Sequence, residues 1–258
     1  MMYHSLMKRF SLTFVVSLFL LLLPFHAAAS GSSAQMKRPA RHFTVPILMF
    51  HYIRDLAIAR TTIGKNLSVT PLQLSRDLDW LTRNNYHTIT FKELTSTGTI
   101  LPQKPIILTF DDGYRDAFTE AFPRLRAHGM TATFYIISGY VSLPAYMTWE
   151  QLKMLRDAGM ELAPHTTYHE NLRTLSERKQ RTTIITSIRE LEGTLGIHVH
   201  SFAYPYGKYS RKTMQFVREA GIPFAVTTHS GVASDADDPL QLPRLRVTDK
   251  TDFARLLK

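Results

Sequence analysis

The chain has 258 residues, 44% of them apolar, which is enough to build a full core and argues against disorder. It contains no cysteine, so disulfides and thiolate chemistry are excluded and any metal must be held by nitrogen and oxygen ligands. The formal charge of +10 suits a cationic surface, but no basic run is interleaved with aromatics, so nucleic acid is not expected as a partner.

The first segment, MMYHSLMKRFSLTFVVSLFLLLLPFHAAAS, places Lys8 and Arg9 before an apolar run that ends in small residues around Ala29. It reads as a secretory signal peptide over 1–29, with an uncleaved anchor as the rival reading. Removing it leaves a charge of +8, because the stretch carries Lys8, Arg9 and no acid. Residues 30–44 are polar and basic without an apolar period, as in a linker. A secreted or cell-envelope protein is expected, and its positive charge suits anionic cell-wall polymers or membrane surfaces.

From Val45 onward, short β-rich runs alternate with amphipathic helical patterns. Strands are predicted over 45–50, 87–90, 105–110, 131–136, 160–164, 200–205 and 223–228. Helices are predicted over 70–85, 114–129, 148–159, 175–196 and 210–221. Thr70 and Thr148 stand where N-caps belong, and Gly129, Gly159, Gly196 and Gly221 where helices should stop. This rhythm implies an α/β fold of parallel strands with right-handed crossovers, either an open doubly wound sheet or a barrel. In both, chemistry belongs at the C-terminal ends of the strands.

Four strand ends carry the informative residues: His51 after PILMF, Asp111 and Asp112 after PIILTF, His165 and His169 in HTTYH, and the turn Tyr204–Gly207. The two histidines, four apart on a helix or tight turn, can share a metal. One carboxylate of the Asp pair would complete a two-histidine, one-carboxylate set, leaving the other free to act as a base toward water. Zinc is the expected ion, with cobalt, nickel and manganese as alternatives.

LTFDDGY, HTTYH and FAYPYG, in this order and at these separations, resemble the polysaccharide deacetylases of carbohydrate esterase family 4, over Val45 to Arg246. The resemblance implies a distorted (β/α)7 barrel, a single deacetylase domain over 45–258, and an N-acetylated polysaccharide as substrate. It also implies that Asp111 is the general base, that Asp112, His165 and His169 hold the metal, and that the Tyr206 backbone N–H stabilises the oxyanion. The usual C-terminal histidine acid is missing. ILMFH instead resembles the circularly permuted poly-N-acetylglucosamine deacetylases, which makes His51 the expected general acid.

Two departures from the family stand out. FAYPYG has Ala203 where many members carry an arginine that orients the base, and Arg244 in LPRLRV is the candidate substitute. SDADDPLQL lacks the usual tryptophan of the acetyl-binding wall. The favoured reading is N-deacetylation of poly-N-acetylglucosamine, with peptidoglycan or a chitin-like glycan as other polymers. The alternatives are O-acetyl ester cleavage on xylan or another glycan, and a non-catalytic cell-wall binding domain.

Overall fold

A computed structural model of the chain describes residues 43–96 and 100–258. The expected signal peptide (1–29) and the linker up to residue 42 lie outside the described residues. Eight strands frame the site: β1 (Ile47–Phe50), β2 (His87–Thr88), β3 (Pro105–Phe110), β4 (Thr133–Ile136), β5 (Glu161–Pro164), β6 (Ser201–Ala203), β7 (Phe224–Val226) and β8 (Leu245–Arg246). The main sheet runs β8-β1-β3-β4-β5, all parallel, with β2 on the first residues of β3. β6 and β7 form a second parallel pair.

The chain just before β8 joins these two sheets. Leu242 bridges Val226, and Leu245 and Arg246 align with Leu48 and Met49. The pairings therefore run around a distorted barrel with one seam, between β5 and β6, where no ladder forms among the described residues. Side chains cross that seam: the Tyr135 hydroxyl donates to Ser201 Oγ at 3.1 Å, and Ser201 Oγ donates to Glu161 Oε1 at 3.1 Å.

Strand parity sorts the residues. Leu48, Phe50, Leu108, Phe110, Phe134 and Ile136 belong to a core packed with the helices. Their neighbours Ile47, Ile107 and Tyr135 belong to a second, inner core with Ala163 and Ala203. Burial on both faces explains why these strands read as continuous apolar runs rather than alternating ones. The inward column continues upward as His51 after Met49, Asp111 after Thr109, and His165 after Ala163, because successive side chains alternate sides.

Five principal helices cover the strands: α1 (Pro71–Arg83), α2 (Phe122–Ala127), α3 (Trp149–Asp157), α4 (Glu177–Leu195) and α5 (Arg211–Glu219). Thr70 Oγ1 accepts from the Gln73 N–H, Thr148 and Gln151 form a reciprocal capping box, and α4 ends at Gly196 with φ 63°.

Three sequence expectations are corrected. The helix predicted over 114–129 is interrupted: Arg115 and Asp116 are helical, Ala117–Ala121 form a π turn, and α geometry resumes at Phe122. Pro123, with no N–H to donate, sits where the two geometries meet. The strand predicted over 45–50 breaks at Pro46, so Thr44–Val45 pairs antiparallel with Ala233–Ser234 while Ile47–Phe50 enters the barrel. Between the strand predicted over 45–50 and the helix predicted over 70–85, where no element is predicted, the chain forms a capped helix, Thr62–Asn66, and a strand, Ser68–Val69, parallel to Tyr52–Ile53.

Glu161 is the charged residue of the seam. Burial pushes its carboxyl up to about 7, against the bonds it accepts from the Lys92 N–H and Ser201. A carboxyl raised in the folded state binds more protons than its unfolded counterpart between about pH 4.5 and 7, so this group costs stability as pH rises through that window. Denaturant unfolding of wild type and Glu161→Gln should therefore shift in the variant's favour by about 2–3 kcal/mol between pH 5 and pH 8. A pH-independent difference would contradict this account of the seam.

Candidate active site

Asp111 and Asp112 follow directly from β3, yet the backbone sends them different ways. The Asp111 N–H still donates to the Phe50 carbonyl at 2.9 Å, so Asp111 keeps the strand's inward parity. Asp112 and Gly113 then take φ values of 74° and 76°, turning the chain out of the sheet. Left-handed backbone at a non-glycine residue is sparsely populated and concentrates at functional sites. Gly113 is needed for both its φ and its closeness to Ile136, whose Cδ1 would lie 3.3 Å from an added Cβ.

Inside the barrel, Asp111 meets Arg244. Nη1 donates to Oδ1 and Nη2 to Oδ2, both at 2.7 Å, in the bidentate geometry that guanidinium and carboxylate favour. Arg244 is only 1% exposed and donates further to Thr109 Oγ1 at 3.0 Å and the Thr227 carbonyl at 2.9 Å. Its guanidinium also lies over the Tyr135 ring, 5.7 Å from the centroid. Burial alone would raise the Asp111 carboxyl, but the charge and hydrogen bonds of Arg244 outweigh it and hold the group well below the usual range.

Asp112 lacks such a partner. Its Oδ1 is buried and accepts no hydrogen bond, while His165 Nε2 and His169 Nε2 stand 3.4 and 3.3 Å away. One ligand atom from each of the three residues lies within 4.8 Å of the others. His165 Nδ1 is 2.8 Å from the Ala203 carbonyl, which can only accept, so Nδ1 donates there and Nε2 is the nitrogen turned to the cluster. Burial and the neighbouring His165 push His169 down to about 4, keeping its imidazole neutral at neutral pH. An orphaned carboxylate oxygen facing two imidazole nitrogens is a donor set suited to a divalent ion such as zinc.

HTTYH forms a tight turn rather than a helix, with Thr166 at φ 63° and His169 at φ 58°. It is tied to α4 by Thr167 N–H donating to Thr183 Oγ1 and by Glu170, which accepts from the Tyr168 N–H and from Thr183 Oγ1. On the far side the Tyr206 ring packs 4.4 Å from His169, and Tyr206 itself has φ 58°. Gly207 is required beside it, because an added Cβ would fall 2.1 Å from Thr228 Oγ1. His51 Nε2 stands 3.8 Å from Asp111 Oδ2, and burial lowers its pKa against the pull of Asp111 and Asp112.

The structure thus brings Asp111, Asp112, His51, His165, His169 and Arg244 to one rim, with Tyr206 against His169. Sequence reasoning missed the residues that hold Arg244, namely Thr109 and Tyr135. The available signal was parity: Thr109 is a polar residue on the inward side of a strand whose other inward side chains are apolar.

The family model described as polysaccharide deacetylase matches residues 99–225. The "putative polysaccharide deacetylase YxkH" of Bacillus subtilis is 31% identical over 215 residues, covering 82% of this chain and 73% of that protein. The poly-beta-1,6-N-acetyl-D-glucosamine N-deacetylase of Staphylococcus aureus strain N315 is 23% identical, covering 98% of this chain and 97% of that protein. Among solved structures, the Streptococcus pyogenes deacetylase PplD in complex with acetate superposes with a TM-score of 0.79 at 29% identity, over 84% of this chain and 98% of that one.

Removing one partner of a buried ion pair strands the other charge, which typically costs about 3–5 kcal/mol. Arg244→Met should lose stability on that scale in denaturant unfolding, and the double variant Arg244→Met/Asp111→Leu should recover most of it. A loss below about 1 kcal/mol in the single variant would contradict the pairing.

Proposed function

The chain belongs to the polysaccharide deacetylase family, and from that premise we propose that it is a secreted, divalent-metal-dependent N-deacetylase of N-acetylglucosamine polymers. Poly-β-1,6-N-acetylglucosamine is the favoured substrate. The observation that carries this reading is the contrast between two adjacent acids: Asp111 locked by Arg244, and Asp112 Oδ1 unpartnered before His165 and His169.

Asp112, His165 and His169 would hold the ion, with zinc preferred for this nitrogen and oxygen set. When bound, the ion supplies Lewis-acid chemistry to the acetyl carbonyl and the attacking water. Asp111 takes the water's proton as the hydroxyl adds to the carbonyl carbon, and Arg244 keeps that carboxylate ionised and fixed in orientation. The Tyr206 N–H is assigned to the carbonyl oxygen as it gains charge. His51, beside Asp111 Oδ2, delivers a proton to the sugar nitrogen as the C–N bond breaks, leaving a free amine and acetate.

The polymer preference rests on the Staphylococcus relative, which covers nearly the whole chain, and on His51 standing at the end of the first barrel strand. Acetate, bound in the PplD structure, is the acid this reaction would release. The signal-like N-terminus supports secretion and the positive charge supports retention at an anionic envelope surface. No helix among the described residues is long and apolar enough to cross a membrane.

The test is acetate release by the zinc-loaded protein from defined N-acetylglucosamine oligomers, β-1,6 against β-1,4. Turnover should favour β-1,6, vanish with a chelator, return with zinc, and fall about 10²–10⁴-fold in His51→Ala. Release from acetylated xylan but not from these oligomers would establish the O-acetyl esterase reading instead. Bound metal with no turnover on any glycan would leave a binding domain.

A further inference from the structure

Beside the HTTYH turn lies an open cleft of about 580 Å³ whose lining includes Tyr168, Thr167, Glu170, Arg178, Lys179 and Thr182. Its size falls in the range of small-molecule sites, and its wall combines one exposed aromatic face with donors and acceptors. We propose that this cleft is an accessory saccharide site, in which the Tyr168 ring stacks on a pyranose unit of the polymer flanking the unit being deacetylated. The proposal rests on the deacetylase reading above and adds to it a site outside the catalytic cluster.

Tyr168 is 59% exposed, yet its ring is firmly held. One edge rests on Gly139, where an added Cβ would fall 2.4 Å from Tyr168 Cε1 and 2.6 Å from the Thr167 carbonyl. Only glycine at 139 lets the ring lie this close to the backbone. The Tyr168 N–H donates to Glu170 Oε2 at 3.0 Å, and its carbonyl accepts from the Tyr140 hydroxyl at 3.3 Å. A ring fixed before binding loses little freedom on contact, which favours its use as a platform.

The aromatic surroundings point the same way. Tyr168 is the exposed end of a file of neighbouring rings that continues through Tyr140, Tyr146, Tyr114 and Tyr52. The other four are half-buried, so the file offers its open face at Tyr168. Tyr114 sits two residues after Asp112 and Tyr168 one residue before His169, so the file spans the two turns that bring the candidate ligands together. A polymer threaded past that cluster must lay its neighbouring sugars on the rim. The apolar face of a pyranose suits an aromatic ring, and its hydroxyls suit Glu170, Arg178, Lys179 and Thr182.

Kinetics on zinc-loaded protein with two-sugar and six-sugar N-acetylglucosamine oligomers test this. The ratio of wild-type to Tyr168→Ala kcat/KM should grow about three- to tenfold from the short to the long oligomer, through KM, the scale of one aromatic contact. Tyr168→Phe, which keeps the ring, should follow wild type. A ratio independent of length, or a Tyr168→Phe loss equal to that of Tyr168→Ala, would overturn the proposal. Binding of the six-sugar oligomer to zinc-loaded Asp111→Asn, with and without Tyr168→Ala, separates this from the catalytic reading. If wild type turns over no oligomer, the deacetylase reading fails, while weaker binding in the double variant still supports the saccharide site and equal binding rejects it.

Discussion

The site depends on one buried ion pair. Asp111 lies inside a barrel whose other inward side chains are mostly apolar, and an isolated carboxylate there would be prohibitively costly to keep ionised. Arg244 meets that cost with a bidentate bond, and is itself satisfied by Thr109, Thr227 and the face of Tyr135. Arg244 arrives on the segment that joins β7 to β1, so closing the ring and neutralising the acid are one structural event.

Against that fixed pair, Asp112 is defined by what it lacks. Left-handed backbone turns it away from its neighbour and toward two imidazoles, where one of its oxygens is buried without a hydrogen bond. Buried polar atoms are rarely left so, and those that are tend to be strain or ligand positions. The surroundings of the histidines are complementary: His165 is oriented through the Ala203 carbonyl, across the same seam that Glu161, Ser201 and Tyr135 hold lower down. Ala203 contributes through its backbone carbonyl, while the guanidinium that holds Asp111 comes from Arg244 on the neighbouring closing segment.

Much of this was legible in the sequence, for identifiable reasons. Period-two alternation continued past each strand points His51, Asp111 and His165 inward, and caps at Thr70 and Thr148 set the helix starts. Arg244 was legible as a candidate but not as a buried partner, because its contact with Asp111 spans 133 residues of sequence and rests on a strand of only two residues. The HTTYH spacing fits a helix and a tight turn equally well. Positive φ at Thr166 and His169 decides for the turn, and that preference comes from the anchors on α4 rather than from local propensity. The π turn before Phe122 was hidden because its residues are ordinary helix formers and only Pro123 marks the change.

The central claim is that two adjacent acids do different work, and zinc titration by calorimetry, paired with turnover of the same samples, tests it most directly. The account predicts that Asp112→Asn weakens zinc binding by at least about tenfold, whereas Asp111→Asn binds zinc nearly as wild type does and fails in turnover. Equal zinc loss in both variants, or zinc loss confined to Asp111→Asn, would contradict it.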